Sequence, residues 1–184
     1  MTRIFAILAL FAVLFVGATA ILGLSLGDIR NPQDRDAQHW ATVHRLSGVA
    51  AALAVMFVNG IAATYFIGTS RWCREVVETY GLDPALWRRS TSLKRRTFPL
   101  CVANMLLAVV MVALGGAADP GASVQLQPIG GITWAQIHLV AAFAGLAWFV
   151  YSSTLQWNNI QANRDVIDAI MIEVRRERAA RGLE

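Results

Sequence analysis

Charge is scarce in this chain. Aspartate, glutamate, lysine and arginine make up 15% of its 184 residues, where a soluble domain carries about 25%. With 56% hydrophobic residues beside that deficit, an ordinary soluble domain is excluded and a membrane protein is indicated. Cysteine is scarce too. Cys73 and Cys101 are its two cysteines; they form no Cys-x-x-Cys pair and join no ligand cluster, so both are read as small apolar filler. A glycine-rich phosphate loop, paired carboxylates within a span and a nucleophile beside a base are all missing. Hydrolytic and nucleotide-binding chemistry is therefore excluded, and a standalone enzyme is not expected. Histidine occurs three times, at positions 39, 44 and 138.

What the chain has instead is apolar length. Runs at about 4–24, 41–66, 98–117 and 132–155 are each long enough to cross a hydrocarbon core of roughly 30 Å, which takes about 20 helical residues. The first follows Arg3 and contains Ala18-Thr19-Ala20, features of a secretion signal, but it outruns the roughly 7–15 residues of a signal core and is read as a span. Only short loops remain, so the expected fold is all-α: a single membrane domain over 1–184 with four transmembrane helices. Arg71, Arg74, Arg88, Arg89, Lys94, Arg95 and Arg96 fall between the second and third runs. Arg164, Arg175, Arg176, Arg178 and Arg181 follow the fourth, whereas Arg30, Arg35 and Arg45 are alone on the opposite side. The positive-inside rule then places both termini and the 69–97 segment in the cytoplasm, in a membrane expected to be a bacterial inner membrane. The net charge of +4 mostly expresses this topology. It also favours contact with anionic membrane lipids and gives no reason to invoke nucleic acid.

The chain repeats itself. Trp40-Ala41-Thr42-Val43-His44 matches Trp134-Ala135-Gln136-Ile137-His138, and Arg74-Glu75-Val76-Val77-Glu78 matches Arg164-Asp165-Val166-Ile167-Asp168, at offsets of 94 and 90 residues. An outer loop and a further apolar run precede each tryptophan. Two parallel two-helix repeats follow, about 4–81 and about 98–181, related by an axis along the membrane normal. Each is expected to end in a cytoplasmic amphipathic helix that lies along the bilayer or packs beneath the bundle. Val166, Ile167, Ile170, Met171 and Val174 form the apolar stripe of the second.

Tryptophan favours the membrane interface, and four helical residues descend about 6 Å, so His44 and His138 are expected at one depth just inside the apolar layer. Ionisable residues there usually face the bundle interior. Small residues follow each on the same face: Gly48, Ala51 and Ala52 after His44, and Ala141, Ala142 and Gly145 after His138. They permit close helix approach or leave a slot for a flat group. One reading is a haem b held between the repeats, with His44 and His138 as axial iron ligands. Gly48, Ala142 and Gly145 would line the slot, and Arg45 would neutralise a propionate. The opposing reading has each imidazole bonding a neighbouring helix, with no cofactor. A bare metal ion or a proton relay is a third reading, although zinc or copper would need further ligands. His39, near Asp34 and Asp36, has Thr133 at its equivalent position and gains no support from the repeat. Asn59, beside Gly60 deep in the second span, needs a partner; another helix is expected, with a quinone-sized ligand as the unsupported alternative.

Val43-His44-Arg45-Leu46-Ser47-Gly48 resembles the His-Arg-x-Ser-Gly stretch of succinate dehydrogenase cytochrome b subunits. The resemblance covers six residues of a differently arranged three-span subunit and carries no residue role across. The functional expectation is a small b-type cytochrome subunit passing electrons within a larger membrane complex. Its rival is a cofactor-free structural or scaffold subunit of such a complex.

Overall fold

The computed structural model describes residues 1–31, 33–123 and 125–182. The chain forms a membrane four-helix bundle: α1 (Thr2–Leu24), α2 (Arg35–Tyr80), α3 (Pro84–Ala118) and α4 (Trp134–Ala180). All four helices are long and apolar enough to cross a membrane. Neighbours in sequence pack side by side, α4 closes the ring against α1, and the α2–α4 diagonal touches while the α1–α3 diagonal does not. Loops at 25–34 and 119–133 lie at one end, here the loop end. The 81–83 turn lies at the other, here the basic end.

Local sequence accounts for the helix boundaries. Asp34 caps α2 by accepting from the Ala37 amide, and Thr133 and Gln136 close a reciprocal capping box at the start of α4, so two otherwise orphaned amides are satisfied. At the basic end Gly81 takes a left-handed conformation, with φ 68°, which glycine adopts without steric cost. Leu82 then donates back to the Val77 carbonyl. Asp83 caps α3 through the Ala85 amide, and Pro84 occupies the first turn, where its missing N–H leaves no gap.

The segments expected to be amphipathic helices at the membrane surface differ from expectation. They are not separate helices but continuations of the spans: α2 runs on through Gly68, and α4 has neither glycine nor proline after Gly145. α4 has 47 residues, about 70 Å at 1.5 Å each, more than twice the hydrocarbon thickness. Of its stripe, Val166, Ile170 and Val174 are buried with Cys73, Val77 and Leu93, Ile167 packs against that cluster, and Met171 is exposed. It packs on the α2–α3 hairpin and not on a lipid surface. Beyond the spans, the described residues form a three-helix stalk of α2, α3 and α4. Pro99 lies inside α3, near the start of its apolar run, and the helix passes through it.

Candidate functional site

The loop end brings the two histidines together. Their ring centroids are 6.4 Å apart with the ring planes at 77°, and both side chains are half-buried. Each ring lies over a glycine of the helix that precedes it. A Cβ on Gly23 of α1 would sit 2.8 Å from His44 Cε1, and one on Gly115 of α3 would sit 3.3 Å from His138 Cε1. Both glycines stand near the C-terminal ends of their helices. A glycine is required at these positions for close approach, not for backbone freedom.

The rings differ in their second contacts. His44 Nδ1 lies 3.1 Å from the Thr19 carbonyl. A carbonyl only accepts, so Nδ1 carries the hydrogen and a neutral imidazole presents its lone pair at Nε2. The Thr19 hydroxyl is turned to the Phe15 carbonyl of its own helix. His138 Nδ1, by contrast, is buried without a hydrogen-bond partner, a state that costs about 1–3 kcal/mol.

The remaining candidates fall at varying distance from this pair. Arg45 reaches across to Asp119 of the second loop, 3.3 Å away. With Arg30, Gln38 and Gln125 it borders a cleft of about 420 Å³. Gly48 faces Thr19 of α1, and Gly145 faces Leu107 and Met111 of α3, so both serve helix contact within their own half of the chain. Ala142 is half-buried. His39 is exposed and stacks edgewise on Trp40. Among the described residues, no group of three or more histidine, cysteine, aspartate or glutamate side chains is placed to hold a metal ion.

A second constellation lies deeper, between α2, α3 and α4. Asn59 Oδ1 accepts from Asn104 Nδ2 at 2.9 Å and from Gln156 Nε2 at 3.0 Å. Asn59 Nδ2 donates to the Val55 carbonyl, and Ser152 Oγ donates to Asn104 Oδ1. All four of these side chains are essentially inaccessible. Towards the basic end Asn159 donates to Thr97. Asn163 then takes a hydrogen from Ser90 and donates to Tyr65 and Thr69. Asn59 therefore bonds other helices, the expected outcome. The rest of this spine is not among the residues singled out in the sequence. Its signal was the polar set 152, 156, 159 and 163 on α4, spaced three to four apart and therefore on one helix face. Gly23 and Gly115 were also missed, although their offset of 92 residues falls between the two offsets of the repeat.

Cys73 is buried in the stalk, and burial pushes its thiol pKa up. A thiol in that state is a poor nucleophile and a poor metal ligand at neutral pH, as apolar filler should be. Cys101 is equally inaccessible.

Protein-family models, curated proteins and solved structures were each compared with this chain, and none matches it.

Proposed function

We propose that this protein is a b-type cytochrome subunit, in which His44 and His138 are the axial ligands of one haem held between two parallel repeats. The observation that carries the reading is the spacing of the rings. An imidazole centroid lies about 1.1 Å from its nitrogen, and a metal–imidazole bond is about 2.0 Å long, so two ligands on one metal have centroids about 6 Å apart. A direct N–H···N bond of about 2.9 Å would bring them to about 5 Å. The 6.4 Å separation suits a shared metal. Two further features support it. The Thr19 carbonyl fixes the His44 tautomer that leaves Nε2 free, as outer partners of metal-bound histidines do. The orphaned His138 nitrogen is a polar atom awaiting a partner.

A bound haem would supply a one-electron carrier whose potential follows its axial ligands and surroundings. The chain's own part would be to hold two imidazoles in opposition beside Ala142, with Gly48 and Gly145 lining the slot only if their contacts with α1 and α3 open. Arg30 and Arg45 would stand at the propionate edge, Arg45 exchanging Asp119 for a propionate. The matched glycines beneath the histidines favour the repeat. Its axis would run along the membrane normal, with the stalk in the cytoplasm, and further subunits of a redox complex would supply donor and acceptor.

A cofactor-free scaffold is the second reading. It is favoured by Gly48 and Gly145, which are filled by contacts within each half. Absorbance of the purified protein, supplemented with haemin if colourless, separates the two. The proposal expects a Soret band and sharp reduced-state bands. Either His44→Ala or His138→Ala should abolish or strongly alter them, and His39→Ala should leave them intact. A chain that takes up no haem, or whose spectrum ignores both substitutions, is the scaffold.

A further inference from the structure

The cations of the basic end divide into two kinds. On α2, Arg71 and Arg74 pair with Glu75 and Glu78. On α4, Arg164 and Arg176 pair with Asp168 and Glu173. α3 carries Arg88, Arg89, Lys94, Arg95 and Arg96 but not one aspartate or glutamate along its whole length, and among the described residues none of these five forms an ion pair with another element. Arg88, Arg89, Arg95 and Arg96 are exposed, while Ser90, Leu93 and Thr97 on the opposite face are buried. Residues seven apart nearly eclipse on a helix, about 10 Å apart along the axis. Arg88 therefore stacks over Arg95, and Arg89 over Arg96, as two columns on one face.

Their depth identifies what meets them. The apolar run of α3 begins at Phe98, itself exposed, so Lys94, Arg95 and Arg96 lie within about 6 Å of the hydrocarbon edge, inside the headgroup layer. Arg88 and Arg89 stand about two turns further out, within reach of that layer through their long side chains. A planar guanidinium matches the oxygens of a phosphate with paired hydrogen bonds. No carboxylate on this helix competes.

We infer that the outer face of α3 at residues 88–96 is a binding site for the headgroup phosphate of an anionic phospholipid. The occupant is a lipid of the surrounding leaflet, bound by charge complementarity at the level where its phosphate lies. This inference does not depend on the haem.

The test uses the full-length protein in vesicles of phosphatidylcholine with a minor fraction of phosphatidylglycerol. Spin-labelled versions of each lipid report which is held at the protein surface. Wild type should select phosphatidylglycerol over phosphatidylcholine about five-fold, the equivalent of about one well-placed basic residue near the surface, and lose much of that preference in high salt. Replacing Arg88, Arg89, Arg95 and Arg96 by glutamine should bring the ratio close to one. Glutamine at Arg71, Arg74, Arg164 and Arg176 removes equal charge and should leave it nearly unchanged. A version with the four α3 arginines replaced by lysine keeps the topology signal and should retain most of the preference. It also keeps the test decisive should the glutamine version fail to insert. Equal loss in both glutamine sets would overturn the site in favour of diffuse charge, and so would equal affinity of wild type for the two lipids. Displacement of the labelled lipid by millimolar inorganic phosphate would assign the face to a soluble anion instead.

Discussion

At the loop end His44 lies on Gly23 and His138 on Gly115, so each half of the chain contributes the same two residue types. In the polar spine Asn59, Asn104, Ser152, Gln156 and Asn163 come from α2, α3 and α4, and α1 contributes no member. The matched motifs of the stalk show the same divergence. Arg74 and Arg164 each pair four residues on, yet the buried valines are Val77 and Val166, one position out of register between the two motifs. The difference separates two tasks. Where a symmetric group would be held, the halves match. Where helices must be fixed in one register, pairing amides needs complementary and not identical residues, so the halves diverge.

The largest expected effect is at the spine. Asn59→Ala strands the amide donors of Asn104 and Gln156, both fully buried. Single interhelical bonds in membranes measure only about 0.6 kcal/mol, but two unsatisfied groups at once should cost about 2 kcal/mol, read as lowered thermal stability in detergent. His44→Ala in the haem-free protein, which removes one bond to a backbone carbonyl, should cost less than about 1 kcal/mol. Equal losses would erase the contrast between a holding region and a site.

Next come the two glycines. Gly23→Ala puts a methyl 2.8 Å from the His44 ring, and Gly115→Ala puts one 3.3 Å from His138. The first substitution should displace its imidazole and, under the proposed haem reading, broaden or weaken the haem bands. The second should do so to a smaller degree, with stability little changed in either. A reversed order would mean that His138, and not His44, is the more tightly seated ring.

The thiols give a smaller but clean readout. Burial raises the Cys73 pKa, so its thiolate forms only at higher pH than an exposed thiol would need, and loss of the proton opposes the folded state. Maleimide should leave Cys73 unmodified at neutral pH until denaturant is added, whereas rapid labelling would show that the stalk opens. Smallest is Thr133→Ala, which removes an exposed cap bond of α4 and should cost about 0.5 kcal/mol in thermal stability.

The spans were legible because apolar length is additive along the chain; the run from 132 to 155 lies almost wholly within α4, which starts at Trp134. His44 and His138 were legible as a pair because one tryptophan-to-histidine spacing occurs twice. The ends of α2 and α4 were not, since hydropathy falls at the membrane edge while helical hydrogen bonding does not. Ser152, Gln156 and Asn163 were not legible as a buried set either. Their burial depends on what α2 and α3 place opposite them, which no single helix encodes. Arg45 looked free for a ligand because its partner, Asp119, lies 74 residues away in sequence.

The continuity of α4 gives the molecule a mechanical property. From His138 to Ala180 the helix runs 42 residues, about 63 Å, and past Gly145 it holds no glycine or proline at which to bend. A tilt of only 5° about the histidine would carry its far end about 5 Å. A shift at the imidazole that packing cannot absorb therefore reaches the tip of the stalk as a displacement comparable to a helical turn. The histidine pair and the distant end of the protein are joined by a single stiff arm.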